Sequence, residues 1–151
     1  MTALIICTSK SNGSTMRVAD ELASVLGARV VSPETVTDSD IERADLVGWG
    51  SGIYWMSFAP ELVARVEALS ERDRGRAFVF ATSGMPETPL RRYTANMRAL
   101  LASRGFSVVD DVFHCRGLDT MGPLGWIGGV NKGHPSETDL AAAREYARRL
   151  A

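Results

Sequence analysis

The fold of this chain is constrained most strongly by a repeated alternation of short apolar segments with longer amphipathic segments. The first apolar segment, residues 3–7, has the sequence ALIIC and contains no charged or strongly polar residue. A continuous apolar run of this length is typical of a parallel strand that is covered on both faces. In residues 15–26, apolar side chains recur instead at helical spacing, and Gly27 stands where a helix C-cap is expected. We therefore predict one strand followed by one helix.

This strand–helix unit is repeated along the rest of the chain. Further helices are predicted to begin at Pro60, at Thr88 and at Ser136, the last with Asp139 in a capping box. Residues 33–44 are ambiguous and allow at most a short helix. Regular alternation of strands and helices predicts an α/β fold, in which helices cover both faces of a parallel sheet. The other strands are predicted at residues 29–32, 45–50, 77–81 and 107–115.

Length and charge exclude several classes of protein. The length of 151 residues is typical of one domain, so we expect a single domain over residues 1–151. With 17 Lys and Arg against 18 Asp and Glu, the formal net charge is -1, which argues against a nucleic-acid binder held by bulk positive charge. Two cysteines cannot form a disulfide framework, and the apolar start is too short for a signal peptide or a membrane span. We therefore expect a cytoplasmic protein with no membrane span and no nucleic-acid partner.

Ligands of such a sheet bind at the carboxyl ends of its strands, so the loops 8–15, 51–58 and 82–88 form the candidate site. The first loop has five hydroxyl-bearing residues among its eight, together with Gly13, which can adopt a positive φ. The N–H groups of the next helix add positive potential, so a terminal phosphate fits there. Alternatively, these side chains only cap the helix and line a polar turn. The candidate phosphate-binding residues are Ser9, Lys10, Ser11, Asn12, Gly13, Ser14 and Thr15.

Other known phosphate-binding loops do not match these residues. Neither the GxxxxGK motif of P-loop hydrolases nor the GxGxxG motif of dinucleotide-binding folds is present. Low-molecular-weight tyrosine phosphatases place a nucleophilic cysteine after the first strand, but their motif would require an arginine where this chain has Gly13. We therefore expect Cys7 to be a small core residue. The histidines and cysteines do not have the spacing of a metal site.

The second and third loops have the composition of a binding site for a flat ring. Glycines at positions 50 and 52 are expected to let a planar ligand approach the backbone, and Tyr54 and Trp55 offer ring faces for stacking. The third loop supplies small hydroxyls, a glycine and backbone amides that suit the polar edge of a heterocycle. The candidate ring-binding residues are Ser51, Gly52, Ile53, Tyr54, Trp55, Thr82, Ser83, Gly84 and Met85.

The three loops together resemble those of the flavodoxin-like FMN-binding family. In the first loop Ser9, Gly13 and Thr15 match the phosphate-loop pattern of that family, whereas Asn12 and Ser14 depart from it. The stretches GSGIYW (50–55) and ATSG (81–84) look like its second and third loops. The resemblance implies a doubly wound, five-stranded parallel sheet of strand order 2-1-3-4-5, with FMN held noncovalently. Residues 115–135 are similar to a subgroup described only as flavodoxin family proteins.

These observations favour a small FMN-binding redox protein, a flavoprotein that transfers electrons through its cofactor and needs no catalytic side chain. Its expected partner is a redox protein or a small-molecule electron acceptor. A flavin-dependent oxidoreductase that acts on a quinone or a similar acceptor has the same motifs and cannot be separated from a carrier by sequence. A cofactor-free module that binds phosphoesters through the same loops is the second alternative. The sequence does not indicate the oligomeric state.

Overall fold

A computed structural model describes residues 2–8, 13–54, 57–83, 91–116 and 136–151. Strands and helices alternate along these residues, as the apolar pattern predicts. The predicted and observed strand boundaries differ most in the third strand, which is longer than predicted, and in the fifth, which is interrupted. The elements are β1 (Ala3–Thr8), α1 (Ser14–Leu26), β2 (Arg29–Val31), α2 (Asp38–Arg43), β3 (Leu46–Tyr54), β4 (Ser57–Phe58), α3 (Pro60–Glu67), β5 (Arg76–Ser83), α4 (Arg91–Ser103), β6 (Ser107–Val108), β7 (Phe113–Arg116) and α5 (Glu137–Leu150).

The sheet is parallel along its main path, with the order β2-β1-β3-β5-β6. β7 occupies the same edge of the sheet as β6, because it also pairs in parallel with β5. β4 pairs antiparallel with β3. The five strand positions therefore follow the order 2-1-3-4-5, and the predicted fold class is confirmed. β4 is an addition that the sequence did not predict.

The predicted fifth strand, residues 107–115, is interrupted in the middle. β6 and β7 are separated by residues 109–112, which include Asp110 and Asp111. Aspartate is a poor strand residue, and both of these positions are bound by neighbouring helices instead. Arg98 of α4 donates to the Asp110 carboxylate at 2.7 Å, and Tyr146 of α5 donates its hydroxyl hydrogen to the Asp111 carbonyl oxygen. The interruption is thus held from both sides of the sheet.

The sheet separates two apolar cores. Alternate strand residues point to opposite faces, and Ile5 and Ile6 are accordingly both fully buried, one in each core. This explains why β1 is apolar at every position of residues 3–7. One face packs against α1 and α5, through residues such as Leu22 and Ala143. The other face packs against α2, α3 and α4, through residues that include Ile41, Leu62 and Leu101.

The helix ends follow local capping rules. Gly27 terminates α1 with a φ of 64°, and Ser136 and Asp139 form the predicted capping box of α5. The ambiguous segment contains the short helix α2, whose capping box is made by Thr37 and Asp40. Within the part of the chain that the structure describes, every helix is too short or too polar to span a bilayer.

Candidate functional site

The strand register brings the starts of all three predicted loops to one edge of the sheet. Thr8 at the end of β1 is paired with Ser51 of β3, and Ser51 is paired with Ala81 of β5. One residue further along, Gly52 is paired with Thr82. The chain leaves β1 for α1 on one face and leaves the β3–β4 hairpin for α3 on the other face. This edge is therefore the topological switch point, where α/β sheets bind their ligands.

The beginning of α1 has the features of an anion site. Gly13 is its N-cap, in the left-handed conformation with φ 67° and ψ 20°. No described residue other than its chain neighbours lies within 4 Å of a Cβ atom added to Gly13. The first turn contains no acidic residue, whereas α2 and α5 each begin with two acidic residues and a capping box. A helix N-terminus without a capping side chain and without a carboxylate suits a bound anion.

A buried hydrogen bond connects this helix start to the third predicted loop. The hydroxyl oxygens of Thr15 and Thr82 are 2.6 Å apart, and both residues are buried. Each hydroxyl carries one hydrogen, and the bond between them uses only one of the two. The pair therefore retains one donor hydrogen at this edge of the sheet.

Ser51 is a candidate ligand residue whose side chain is engaged within the protein. It is fully buried, and its hydroxyl donates to the carbonyl oxygen of Gly52 at 2.7 Å. The hydroxyl oxygen of Ser51 also accepts a hydrogen bond from the backbone N–H of Ala59, the N-cap of α3, at 3.1 Å. These bonds hold the start of α3 against the end of β3. A direct contact of Ser51 with a ligand stays a prediction.

The second predicted loop is in fact mostly a hairpin. β3 was predicted to end at residue 50, but it continues to Tyr54 and pairs with β4 through Ile53–Phe58 and Tyr54–Ser57. The ring of Phe58 lies edge-on to the ring of Tyr93 in α4, with their centroids 6.1 Å apart. An aromatic contact thus packs the β4 strand of this hairpin against α4.

The glycine at position 50 has a packing role that the sequence did not indicate. A Cβ atom added to Gly50 would lie 2.2 Å from the ring of Phe80, and one added to Gly48 would lie 2.3 Å from the ring of Phe78. These glycines make room for core aromatic side chains of the neighbouring strand, and the approach of a ligand to Gly50 stays a prediction. Gly52, the second glycine of the loop, is buried beside Thr82 at the edge itself.

Sequence reasoning did not single out Thr8 and Glu61, which meet at this edge. The Thr8 hydroxyl donates to the Glu61 carboxylate at 3.1 Å, in a partly buried position. Pro60 predicts a helix start after the β3–β4 hairpin, which places residue 61 in the first turn at the ligand-binding edge. That placement was the available signal, but the contact itself joins residues 53 positions apart.

Cys7, one residue before Thr8, is buried with 1% of its surface exposed. Burial, and to a lesser extent the negative charge of Asp20, raise the pKa of its thiol to about 12. A thiol with so high a pKa is a poor nucleophile. The expectation that Cys7 is a core residue is confirmed.

The described residues include only part of the predicted site. Gly13, Ser14, Thr15, Ser51, Gly52, Ile53 and Thr82 lie together at the carboxyl edge, and the backbones of Tyr54 and Ser83 end their strands there. The remaining candidates lie outside the described residues, as does the glycine-rich segment 117–135. These remaining candidates are Ser9, Lys10, Ser11, Asn12, Trp55, Gly84 and Met85.

Comparison with known proteins agrees with this architecture. Residues 4–121 match the family model of the flavodoxin domain. An uncharacterised protein of Methanocaldococcus jannaschii is 33% identical over 150 residues, which are 99% of this chain and 98% of that protein. A solved flavodoxin from the domain Archaea matches with a TM-score of 0.70 at 17% identity, and the match covers 100% of this chain and 96% of that flavodoxin. Flavodoxin 2 from Bacillus cereus matches with a TM-score of 0.71 at 16% identity, and the match covers 98% of this chain and 96% of that flavodoxin. At these identities the structural matches show a common fold.

Proposed function

Starting from the fact that this chain belongs to the flavodoxin domain family, we propose that it binds FMN noncovalently and transfers electrons through it. Membership of this family supports a flavin-binding redox protein. The observation that carries the choice of FMN is the start of α1, which is capped by a left-handed glycine and has no acidic residue in its first turn. It lies directly after β1, at the switch point of the sheet.

The described residues fit such a cofactor. Among the described residues, and apart from its chain neighbours, nothing lies within 4 Å of a Cβ atom added to Gly13, which supports the access of a phosphate group to the backbone there. The N–H groups of Gly13, Ser14 and Thr15 are those that would donate to it. The bond between Thr15 and Thr82 uses one of their two hydroxyl hydrogens, and we propose that the other donates to a polar atom of the cofactor. When bound, FMN supplies the electron-transfer chemistry, and no side chain is required as an acid or base.

The residues of the hairpin have a positioning role in this proposal. Ser51 fixes the base of the hairpin to α3, and the Phe58–Tyr93 pair supports it from the core side. We propose that Tyr54 and Trp55 lie against the flavin ring. A ring held between protein groups excludes water from one side, and the surrounding dipoles then influence its reduction potential.

We propose FMN rather than FAD because the segment after β1 leads directly into α1. A terminal phosphate is then bound by the helix N–H groups, and the same groups leave little provision for a second phosphate and an adenosine.

The test is a titration of flavin-free protein with FMN, FAD and riboflavin. Binding is measured by the quenching of flavin fluorescence. We expect the purified protein to be yellow, and FMN to bind more tightly than FAD or riboflavin. Protein that binds none of the three flavins would contradict the proposal and favour the cofactor-free phosphoester module. Extracted cofactor that migrates as FAD would contradict the choice of FMN alone.

The partner that we propose is a redox protein or a small-molecule acceptor in the cytoplasm. The carrier is distinguished from an oxidoreductase by reducing the FMN form and mixing it with quinones. We expect slow reoxidation by quinones, as for a carrier whose acceptor is a protein. Rapid multiple turnover with a quinone would instead identify an oxidoreductase.

A further inference from the structure

We propose that Glu61 is a positioning residue for the phosphate end of the cofactor, acting through the end of β1. This inference rests on the proposed function. Glu61 holds Thr8 by a hydrogen bond, and Thr8 is the residue from which the chain enters the segment that leads to Gly13. The role assigned to Glu61 is to fix the direction in which that segment leaves the sheet.

Two side-chain hydrogen bonds connect the start of α3 to the ends of two neighbouring strands. Thr8 donates to the Glu61 carboxylate at 3.1 Å, and the Ala59 N–H donates to the Ser51 hydroxyl at 3.1 Å. Thr8 and Ser51 are themselves partners in the strand register. The first turn of α3 therefore fixes β1 and β3 at the same level of the sheet, and Glu61 makes the contact on the β1 side.

Described residues on both sides of positions 9–12 make side-chain hydrogen bonds to other elements. Thr8 is bonded to α3 on one face of the sheet, and Thr15, just after Gly13, is bonded to Thr82 at the end of β5. A hydrogen bond to a carboxylate is stronger than one between neutral groups. A binding segment whose ends are already fixed loses less conformational entropy when it binds its ligand, and this raises affinity.

The carboxylate of Glu61 has a second, opposing effect that the test must separate. A negative charge near a phosphate site weakens the binding of an anion. Glutamine at position 61 keeps an oxygen that can accept from Thr8 but removes the charge. Alanine removes both. The positioning role therefore predicts different results for these two substitutions, whereas a purely electrostatic role predicts similar results.

The experiment compares FMN with riboflavin, which is the same ring without the phosphate. For Glu61→Ala and for Thr8→Val we expect the Kd of FMN to rise about tenfold, which corresponds to about 1.4 kcal/mol, with little change in the Kd of riboflavin. The double variant should bind FMN no more weakly than Glu61→Ala alone, because the hydrogen bond that Thr8→Val removes is already absent there. Glu61→Gln should bind FMN at least as well as the wild type. Glu67→Ala, at the exposed end of the same helix, is the matched control and should change neither Kd.

Two results would overturn the positioning role. Tighter FMN binding by both Glu61→Ala and Glu61→Gln would show that the carboxylate acts only by repulsion. An equal loss of FMN and riboflavin affinity in Glu61→Ala would show a general disturbance of the fold rather than a contact specific to the phosphate end. Failure of the wild type to bind either flavin would contradict the proposed function itself, which distinguishes the two cases.

Discussion

The hydroxyl groups of Thr15 and Thr82 share a hydrogen bond of 2.6 Å in the interior of the protein. Thr15 is in the first turn of α1 and Thr82 is near the end of β5, so the bond joins the two sides of the candidate site. Both residues are nearly inaccessible to solvent, with 3% and 4% of their surfaces exposed. Neither hydroxyl can therefore exchange its partner for bulk water.

We predict that Thr15→Val and Thr82→Val each lower the free energy of unfolding by about 1–3 kcal/mol, because each leaves one buried hydroxyl without its partner. The double variant should be less destabilised than the sum of the singles, since it leaves neither hydroxyl unpaired. Urea denaturation measures all three. Ser32 and Thr35 form a similar hydroxyl pair at 2.8 Å in an exposed position, so Thr35→Val is the control and should change stability by less than about 0.5 kcal/mol. Additive losses in the double variant would contradict the coupling.

Gly50→Ala should destabilise the fold rather than the cofactor site. The new Cβ would lie 2.2 Å from the Phe80 ring, and such overpacking typically costs about 1–3 kcal/mol. Shortening the facing side chain relieves the overlap, so Gly50→Ala combined with Phe80→Leu should be less destabilised than the sum of the two changes. Thermal unfolding of the four proteins gives the comparison. A fully stable Gly50→Ala protein with weaker FMN binding would instead support the ligand role for this glycine.

Two buried tyrosines should respond to the loss of their hydroxyls in opposite ways. Among the described residues, the hydroxyl of Tyr93 is buried and has no hydrogen-bond partner, whereas that of Tyr146 donates to the Asp111 carbonyl oxygen. We expect Tyr93→Phe to raise the free energy of unfolding by up to about 1 kcal/mol and Tyr146→Phe to lower it by about 1 kcal/mol. Chemical denaturation of both variants at one pH measures the difference. The same sign for both would be inconsistent with this assignment of partners.

The capping box of α2 should make stability depend on pH in the acid range. Hydrogen bonds lower the pKa of Asp40 from 3.8 to about 2. The largest effect comes from the backbone N–H of Thr37, and smaller effects come from the Thr37 side chain and from Arg29. Because the folded pKa lies below the unfolded one, the unfolded state binds more protons in this window, and the stabilisation is lost as the pH falls from about 4 to 2. Asp40→Asn should therefore lose less stability than the wild type between pH 5 and pH 3.

This pH dependence is measured by urea midpoints at the two pH values. Asp73→Asn, at an exposed position outside any helix cap, is the control and should follow the wild type. Parallel losses in the wild type and in Asp40→Asn would place the acid sensitivity elsewhere.

Gly13→Asp should weaken FMN binding by about a hundredfold or more. It adds a Cβ at a left-handed position and puts a negative charge beside the proposed phosphate site, where like charges cost several kcal/mol. Gly27 provides a matched control, since it caps the other end of α1 with nearly the same φ, 64° against 67°. Gly27→Asp should share the backbone strain without changing the affinity for FMN. Affinity is measured by fluorescence titration. Wild-type affinity in a folded Gly13→Asp protein would show that the phosphate does not bind at the start of α1.

The local pattern of the sequence was sufficient to predict the fold class and most of the elements. The apolar run at residues 3–7 is informative because a strand covered on both faces must be apolar at every position, and Ile5 and Ile6 are indeed in opposite cores. The helix ends at Gly27 and Ser136 were predictable for a similar reason, since caps depend on residues only a few positions apart.

The extension of β3 into a hairpin and the partner of Gly50 were decided by the tertiary structure. Residues 51–54 contain Ser and Gly, which are weak strand formers, and they become a strand only because β5 and β4 pair with them. Position 50 requires glycine because register places the ring of Phe80 over it, and no local pattern encodes that register.

The sequence by itself therefore determined most of the strands and helices, and which loops begin at the carboxyl edge. Only the tertiary structure decided how those loops are held, through Thr15–Thr82 and Thr8–Glu61, whose members are 67 and 53 residues apart. Propensity, periodicity and capping act over a few residues, whereas a hydrogen bond between distant elements exists only after packing has set their register and distance.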